Sequence, residues 1–314
     1  MATRGQATSS AQRGASEAAN NVKQTAKPFK EFVKKFQNDW SVHLAQALAF
    51  SLLTAIVPIA ILMFGIVGLF VGGLDKQQVH QLSTNITHAF PAQIPSADVV
   101  TSAFDRLKNA SFLLVVLAIL TAIIFGSRLF TLMEVCFDVI YRLQPRSFMK
   151  KNLIAIGMLI LFVILIPVLV LASTIPGIVL AVLQNAAIGN TSAITNFFGL
   201  ISSLIVSFLL FEAFYVFIPN RTENVKSVMY RFRSSWKGAA VAAVALQLML
   251  QFFPLYIRFF TKAYVGQIAL VLIVVAFFYL FALIILLGAE VNAFFSEGIR
   301  PTASDLISRA SKTS

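Results

Sequence analysis

The sequence predicts an all-α polytopic membrane protein, a six-transmembrane-helix bundle with an N-terminal interfacial amphipathic helix. Three observations predict it. Hydrophobic residues make up 58% of the 314-residue chain and charged residues only 12%, where soluble proteins average about 45–50% and 25%. Several uninterrupted apolar runs exceed the ~18 residues that mark a spanning helix. Lys and Arg crowd into every second connection between those runs, as the positive-inside rule requires of a multi-pass chain.

Residues 1–22 are Ala, Ser, Gln and Gly with scattered Arg, the composition of a disordered tail. Residues 23–41 form an amphipathic helix. At ~100° per residue, Phe29, Phe32, Val33, Phe36 and Trp40 share one face, and Lys23, Lys27, Lys30 and Lys34 share the other. This pattern suits the inner leaflet, with aromatic rings inserted and lysines over anionic headgroups. A surface helix docked on protein is the alternative. No cleavable signal is evident, because the first apolar run starts near Leu44, too late and too long for a secretory segment. A mitochondrial transit peptide fits poorly, since Arg is sparse and Glu17 is present.

Residues 42–298 form the transmembrane domain, with spans at about 44–73, 111–141, 152–183, 194–219, 235–260 and 266–296, and a cytoplasmic tail follows at 299–314. Several spans are longer than a bilayer needs, so tilt or protruding ends are expected. Pro58, Pro167, Pro176-Gly177 and Pro254 fall inside spans. Each reads as a helix kink, though broken helices also build transporter sites. The connection 74–110 is the longest and carries His80 and His88 without a supporting cluster of metal ligands, so bundle capping is its expected role. Nineteen Lys and Arg lie in the arm, the second and fourth connections and the tail, against five in the other connections, with Arg128 left inside a span. Both termini are therefore expected in the cytoplasm.

The single cysteine, Cys136, excludes an intrachain disulfide. The net charge of +12 points to the anionic inner leaflet as partner, not to nucleic acid. No HExxH, CxxC, Walker or Rossmann glycine motif is present, and the histidines His43, His80 and His88 build no catalytic set, so no enzyme, cofactor or metal is expected.

The intramembrane charges are the candidates for function. The run 267–289 holds 23 residues without a charge and ends in Glu290. At 1.5 Å per residue it spans roughly the ~30 Å bilayer core. Glu134, Asp138 and Arg142 are spaced i, i+4, i+8 at the cytoplasmic end of the second span, so Arg142 can pair with Asp138. Arg128 and Glu212 lie deeper, where each alone costs about 2.5–3.5 kcal/mol on insertion scales, and mutual pairing relieves both. Two readings stay open. The acids line a polar cavity that binds a cation or proton and helps gate a substrate, or they are structural locks between helices.

The second half resembles the YihY/BrkB family of bacterial inner-membrane proteins. The family's Tyr-then-Pro-Asn element appears as Tyr215-Val216-Phe217-Ile218-Pro219-Asn220. The Gly-Ala opening of the fifth span appears as Gly238-Ala239, followed by Phe253 and Tyr256. Gly266 opens the sixth span, with Tyr279 and then Leu287-Gly288-Ala289-Glu290. Ala47-Leu48-Ala49-Phe50 with Pro58 is similar to a family element in the first span, and Glu134, Asp138 and Arg142 match its polar end of the second. Ala55, Phe277 and Val216 stand where the family usually has Ser, Trp and Arg, and Arg128 and Glu212 are outside its pattern.

The resemblance covers about residues 28–298 and implies a six-helix plasma-membrane protein. Members carry virulence-factor, transporter-like and ribonuclease BN labels; nothing in these residues supports the last. The expected function is transporter or exporter of a small solute or lipid-like molecule, with a non-transporting envelope scaffold or lipid-binding protein as the alternative. Gly288, just before the acid, is expected to let a neighbouring helix approach closely.

Overall fold

The computed structural model describes residues 28–71, 112–165, 192–220, 228–263 and 267–301. The expected tail, Lys23 and Lys27, the connection with His80 and His88, Pro167, Pro176-Gly177, Gly266 and the chain beyond 301 lie outside the described residues.

The described residues are helical and include no strand. In chain order they form α1 (28–38), α2 (Ser41–Val71), α3 (Phe112–Tyr141), α4 (Phe148–Leu165), α5 (Ser192–Phe217), α6 (Val228–Ala263) and α7 (Gln267–Val291). A π-helical turn, Asn292–Ser296, continues α7. Five helices, α3 to α7, are long and apolar enough to cross a membrane, and α2 contributes a shorter apolar stretch, Ser41–Ile56. Pro58 and Pro254 sit inside α2 and α6 without ending either helix. α2 lies against α3 and α7, α6 lies between α5 and α7, and α3 also touches α7.

Outward faces are as apolar as the interior. Leu120 and Ile124 on α3, Ile160 on α4, Leu209 on α5 and Phe252 on α6 are exposed. A helix that is hydrophobic all round fits hydrocarbon on one side and protein on the other. Aromatic rings fill the centre: Phe162 of α4 stacks on Phe214 at 4.5 Å, and Phe130 of α3 lies 5.3 Å from Phe162, so α4 is wedged between α3 and α5. A second, smaller cluster of Phe253, Ile257 and Ile273 joins the far ends of α6 and α7.

Charge concentrates inside one end of the bundle, where Lys35, Glu134, Asp138, Glu212 and Glu290 are buried. Among the described residues, both with positive φ outside glycine are at that end: Trp40 (φ 58°) between α1 and α2, and Arg142 (φ 55°) just after α3. The left-handed conformation costs about 1–2 kcal/mol for a residue with a side chain, so the surrounding contacts must hold both turns.

Candidate functional site

Glu290 sits at the last turn of α7 and is 0% exposed. Its Oε2 accepts from the Lys35 ammonium of α1 at 2.5 Å, and its Oε1 accepts from the Ser41 hydroxyl at the start of α2 at 2.6 Å. Lys35, also 0% exposed, donates further to Asp39 at 2.5 Å and to the Ile140 carbonyl at 3.2 Å. All three ammonium protons thus have acceptors. Ile140 lies in the last turn of α3, where carbonyls have no partner within the helix, and a cation there meets the negative end of the helix dipole. The knot joins α1, α2, α3 and α7 in one buried contact.

In the sequence Lys35 counts only as one of the cations of the N-terminal arm. The docked side of α1 explains it. Lys35 is buried, and Glu31, Phe32, Phe36 and Asp39 are half-buried, while Phe29, Val33 and Trp40 are exposed. At ~100° per residue, the packed face is rotated roughly a quarter-turn from the face carrying the aromatics. Phe32 meets Phe294 at 5.7 Å and Phe295 at 6.0 Å on the π-turn. The remaining aromatic flank, Phe29 and Trp40, faces away, as do Lys30 and Lys34. A stripe of Lys and Asp beside Phe32 and Phe36 was the available signal for docking.

Beside the knot, Gly238 of α6 and Gly288 of α7 cross at close contact. A Cβ on Gly288 would overlap the Tyr215 hydroxyl and the Gly238 carbonyl, and one on Gly238 would overlap the Gly288 carbonyl and Asn292. The expected close approach at Gly288 is present. The Gly238 amide donates to Asn292 Oδ1 at 2.6 Å, and the Tyr215 hydroxyl donates to the Ile285 carbonyl at 2.8 Å. Tyr256 stacks on Phe253 at 5.5 Å in the second cluster. Tyr279 packs against the main core, and Pro58 is half-buried in α2.

The second acidic group lies between α3, α4 and the end of α5. Glu134 pairs with Arg146 at 3.2 Å. Arg146 also donates to the Ile218 carbonyl at 3.0 Å and to the Pro219 carbonyl at 3.3 Å, closing the C-terminal end of α5 as Lys35 closes that of α3. Asp138 is 7% exposed, and the Asn220 backbone amide lies against its carboxylate. The charges of Arg146 and Lys151 act on it, opposed by that of Glu134.

Two expected pairings are not formed. Arg142 does not pair with Asp138. It leaves the helix at positive φ and its guanidinium donates to the Arg300 carbonyl at 3.0 Å. A residue one turn on keeps the same face only while the helix continues, and α3 ends at Tyr141. Arg128 is not joined to Glu212: Arg128 is exposed on α3, whereas Glu212 is 3% exposed on α5. The sequence reading missed Arg146, which lies in the connection after α3, because loop cations carry no periodicity. Arg300 completes the end of the bundle, with Glu31 at 3.6 Å and its guanidinium 4.2 Å from the Phe294 ring centre.

The family model of virulence factor BrkB matches residues 32–313. A UPF0761 membrane protein of Idiomarina loihiensis is 34% identical over 96 residues, 30% of this chain and 31% of that protein. The chain thus spans under a third of the length of the curated relative it matches. No solved structure matches.

Proposed function

The chain belongs to the virulence factor BrkB family, and we propose that it is a multi-pass bacterial inner-membrane protein that binds lipid or organises the envelope from a packed bundle. One observation carries this reading. Glu134, Glu212 and Glu290 are 2%, 3% and 0% exposed, so the acids that a solute pathway would need hydrated are packed against protein. Glu290 and Glu134 are held by Lys35 and Arg146 instead. Six spans, cytoplasmic termini and the lack of a catalytic role belong to the same proposal. The nineteen-to-five distribution of Lys and Arg supports the orientation. The exposed Phe29, Lys30 and Lys34 of α1, with Trp40 just after it, support contact with anionic inner-leaflet lipid, which Lys23 and Lys27 extend by sequence.

The test compares the lipids and metabolites of deletion and wild-type cells, then reconstitutes the protein with the leading candidate in vesicles. The expected result is lipid binding without solute flux. Flux that folded Glu134→Gln or Glu290→Gln proteins lose would overturn the reading.

Transport or export of a small solute or lipid-like molecule is the second reading. Asp138 favours it: a buried carboxylate set among the charges of Glu134, Arg146 and Lys151 is a place for a proton or cation. Flux in wild-type vesicles that Asp138→Asn abolishes would establish this reading in place of the first.

A further inference from the structure

At the end of the bundle that carries the knot, Tyr230, Arg233, Ser234 and Lys237 occupy positions i, i+3, i+4 and i+7 of α6 and so share one face. That face lies across an open groove of about 220 Å³ from Phe295 and Ser296 of the π-turn. Arg233 and Lys237 are exposed, as are the aromatic rings of Tyr230 and Phe295, and the Ser296 hydroxyl is buried without a hydrogen-bond partner. Phe232 and Trp236 are exposed on the same stretch of α6. Aromatic residues so placed mark the headgroup level of a bilayer.

We infer that this groove is a binding site for the phosphate headgroup of an anionic phospholipid. Arg offers a planar fork of donors that matches phosphate oxygens, and Lys adds a point charge. Basic pockets between membrane helices are a known class of lipid headgroup site. The aromatic walls give the glycerol and first acyl carbons an apolar surface, which a free phosphate ion would leave unused. The π-turn makes the site. By carrying five residues where an α-helix would continue its register, it turns Phe295 and Ser296 toward α6 while Asn292 stays on the Gly238 amide. The inference deepens the lipid-binding reading by naming a headgroup and a pocket separate from the lysines of α1.

The experiment uses the full-length chain in a neutral detergent and native mass spectrometry. Phosphatidylglycerol and phosphatidylcholine of identical acyl chains compete for retention, and inorganic phosphate is added as a second competitor. The wild-type protein is expected to retain phosphatidylglycerol about tenfold better, the scale of one well-made charged contact. R233Q/K237Q should lose that preference. Ser296→Phe fills the groove at unchanged charge and should lose it too, which covers the case of a double variant that fails to fold. Lys30→Gln/Lys34→Gln should keep it. Equal retention of both lipids by the wild type, or an undiminished preference in both R233Q/K237Q and Ser296→Phe, would overturn the site. Loss of the preference in the α1 variant alone would move the lipid contact to α1, leaving the broader reading intact and removing the pocket. Displacement of the lipid by equimolar inorganic phosphate would make free phosphate the ligand, against the inference.

Discussion

Replacing Lys35 with Met tests whether the buried knot holds α1 to the bundle. The perturbation keeps the length of the side chain and removes the ammonium. Glu290, 0% exposed, would keep only the Ser41 hydroxyl, and the Ile140 carbonyl would lose a donor. Asp39 is 10% exposed at its side chain and can turn toward water, so its share of the loss is small. Stranding one partner of a buried ion pair costs about 3–5 kcal/mol, because neither charge is screened by solvent as a surface pair is. At 1.4 kcal/mol per factor of ten, that corresponds to a fall of about a hundredfold or more in hydrogen-exchange protection of residues 28–40, or to complete loss if docking is worth less than that. The assay is amide exchange of the purified protein in detergent, with the amides of α3 as internal reference. The double variant Lys35→Met/Glu290→Met removes both charges and should regain much of the protection, since a buried pair replaced as a unit is often near neutral. Protection of 28–40 within about threefold of wild type in the single variant would refute the reasoning.

The remaining predictions concern the helix crossing and the second charge group. Gly288→Ala should destabilise the protein by about 2–3 kcal/mol or more in detergent titration, because the added methyl meets the Tyr215 hydroxyl and the Gly238 carbonyl. Gly157→Ala meets nothing within 4 Å and should be neutral or stabilising by about 0.5–1 kcal/mol on helix propensity, so equal effects would break the argument. Arg146→Met strands Glu134 beside Asp138 and should cost about 3–5 kcal/mol, whereas Glu134→Gln keeps an acceptor for Arg146 and should cost clearly less; the reverse order would mean that Arg146 acts only on the α5 carbonyls. Arg128→Leu should leave unfolding midpoints nearly unchanged, and its effect should add to that of Glu212→Gln within about 0.5 kcal/mol, as expected of residues that do not touch.

The membrane class and the places of the helices were legible because apolar runs report directly on hydrocarbon. Glu290 and Gly288 were legible for a related reason. An acid and a glycine stand out on a helix that otherwise carries neither, and both lie at the contacts that hold α7. The partners were not legible. Lys35 and Arg146 reach across 255 and 12 residues of chain respectively, and neither separation leaves a periodic trace. The Asp138–Arg142 spacing failed because the i, i+4 rule assumes a helix that continues, and α3 turns left-handed at Arg142. The α1 sequence pattern is amphipathic, but one moment vector cannot show that two adjacent flanks have different neighbours. Phe32 and Phe36 go to the bundle side, and Phe29 and Trp40 face away from it.

The cations at the charged end serve two purposes, and separating them decides which ones can meet lipid. A helix that ends inside protein leaves carbonyls that water cannot reach, and each needs a donor. Lys35 serves Ile140, and Arg146 serves Ile218 and Pro219, while Arg142 is turned to the Arg300 carbonyl at the surface of the same end. These residues count toward the positive-inside bias, yet their donors are directed at the protein. Lys30 and Lys34 on α1, with Arg233 and Lys237 on α6, are exposed at the same end. Charge counted from sequence therefore overstates what an anionic membrane can bind. If the cations divide in this way, R233Q/K237Q should weaken retention of anionic lipid in detergent while leaving the unfolding midpoint near wild type, and Arg146→Met should lower the midpoint first. Weaker lipid retention by an Arg146→Met protein of wild-type stability would show that the two roles are not separate.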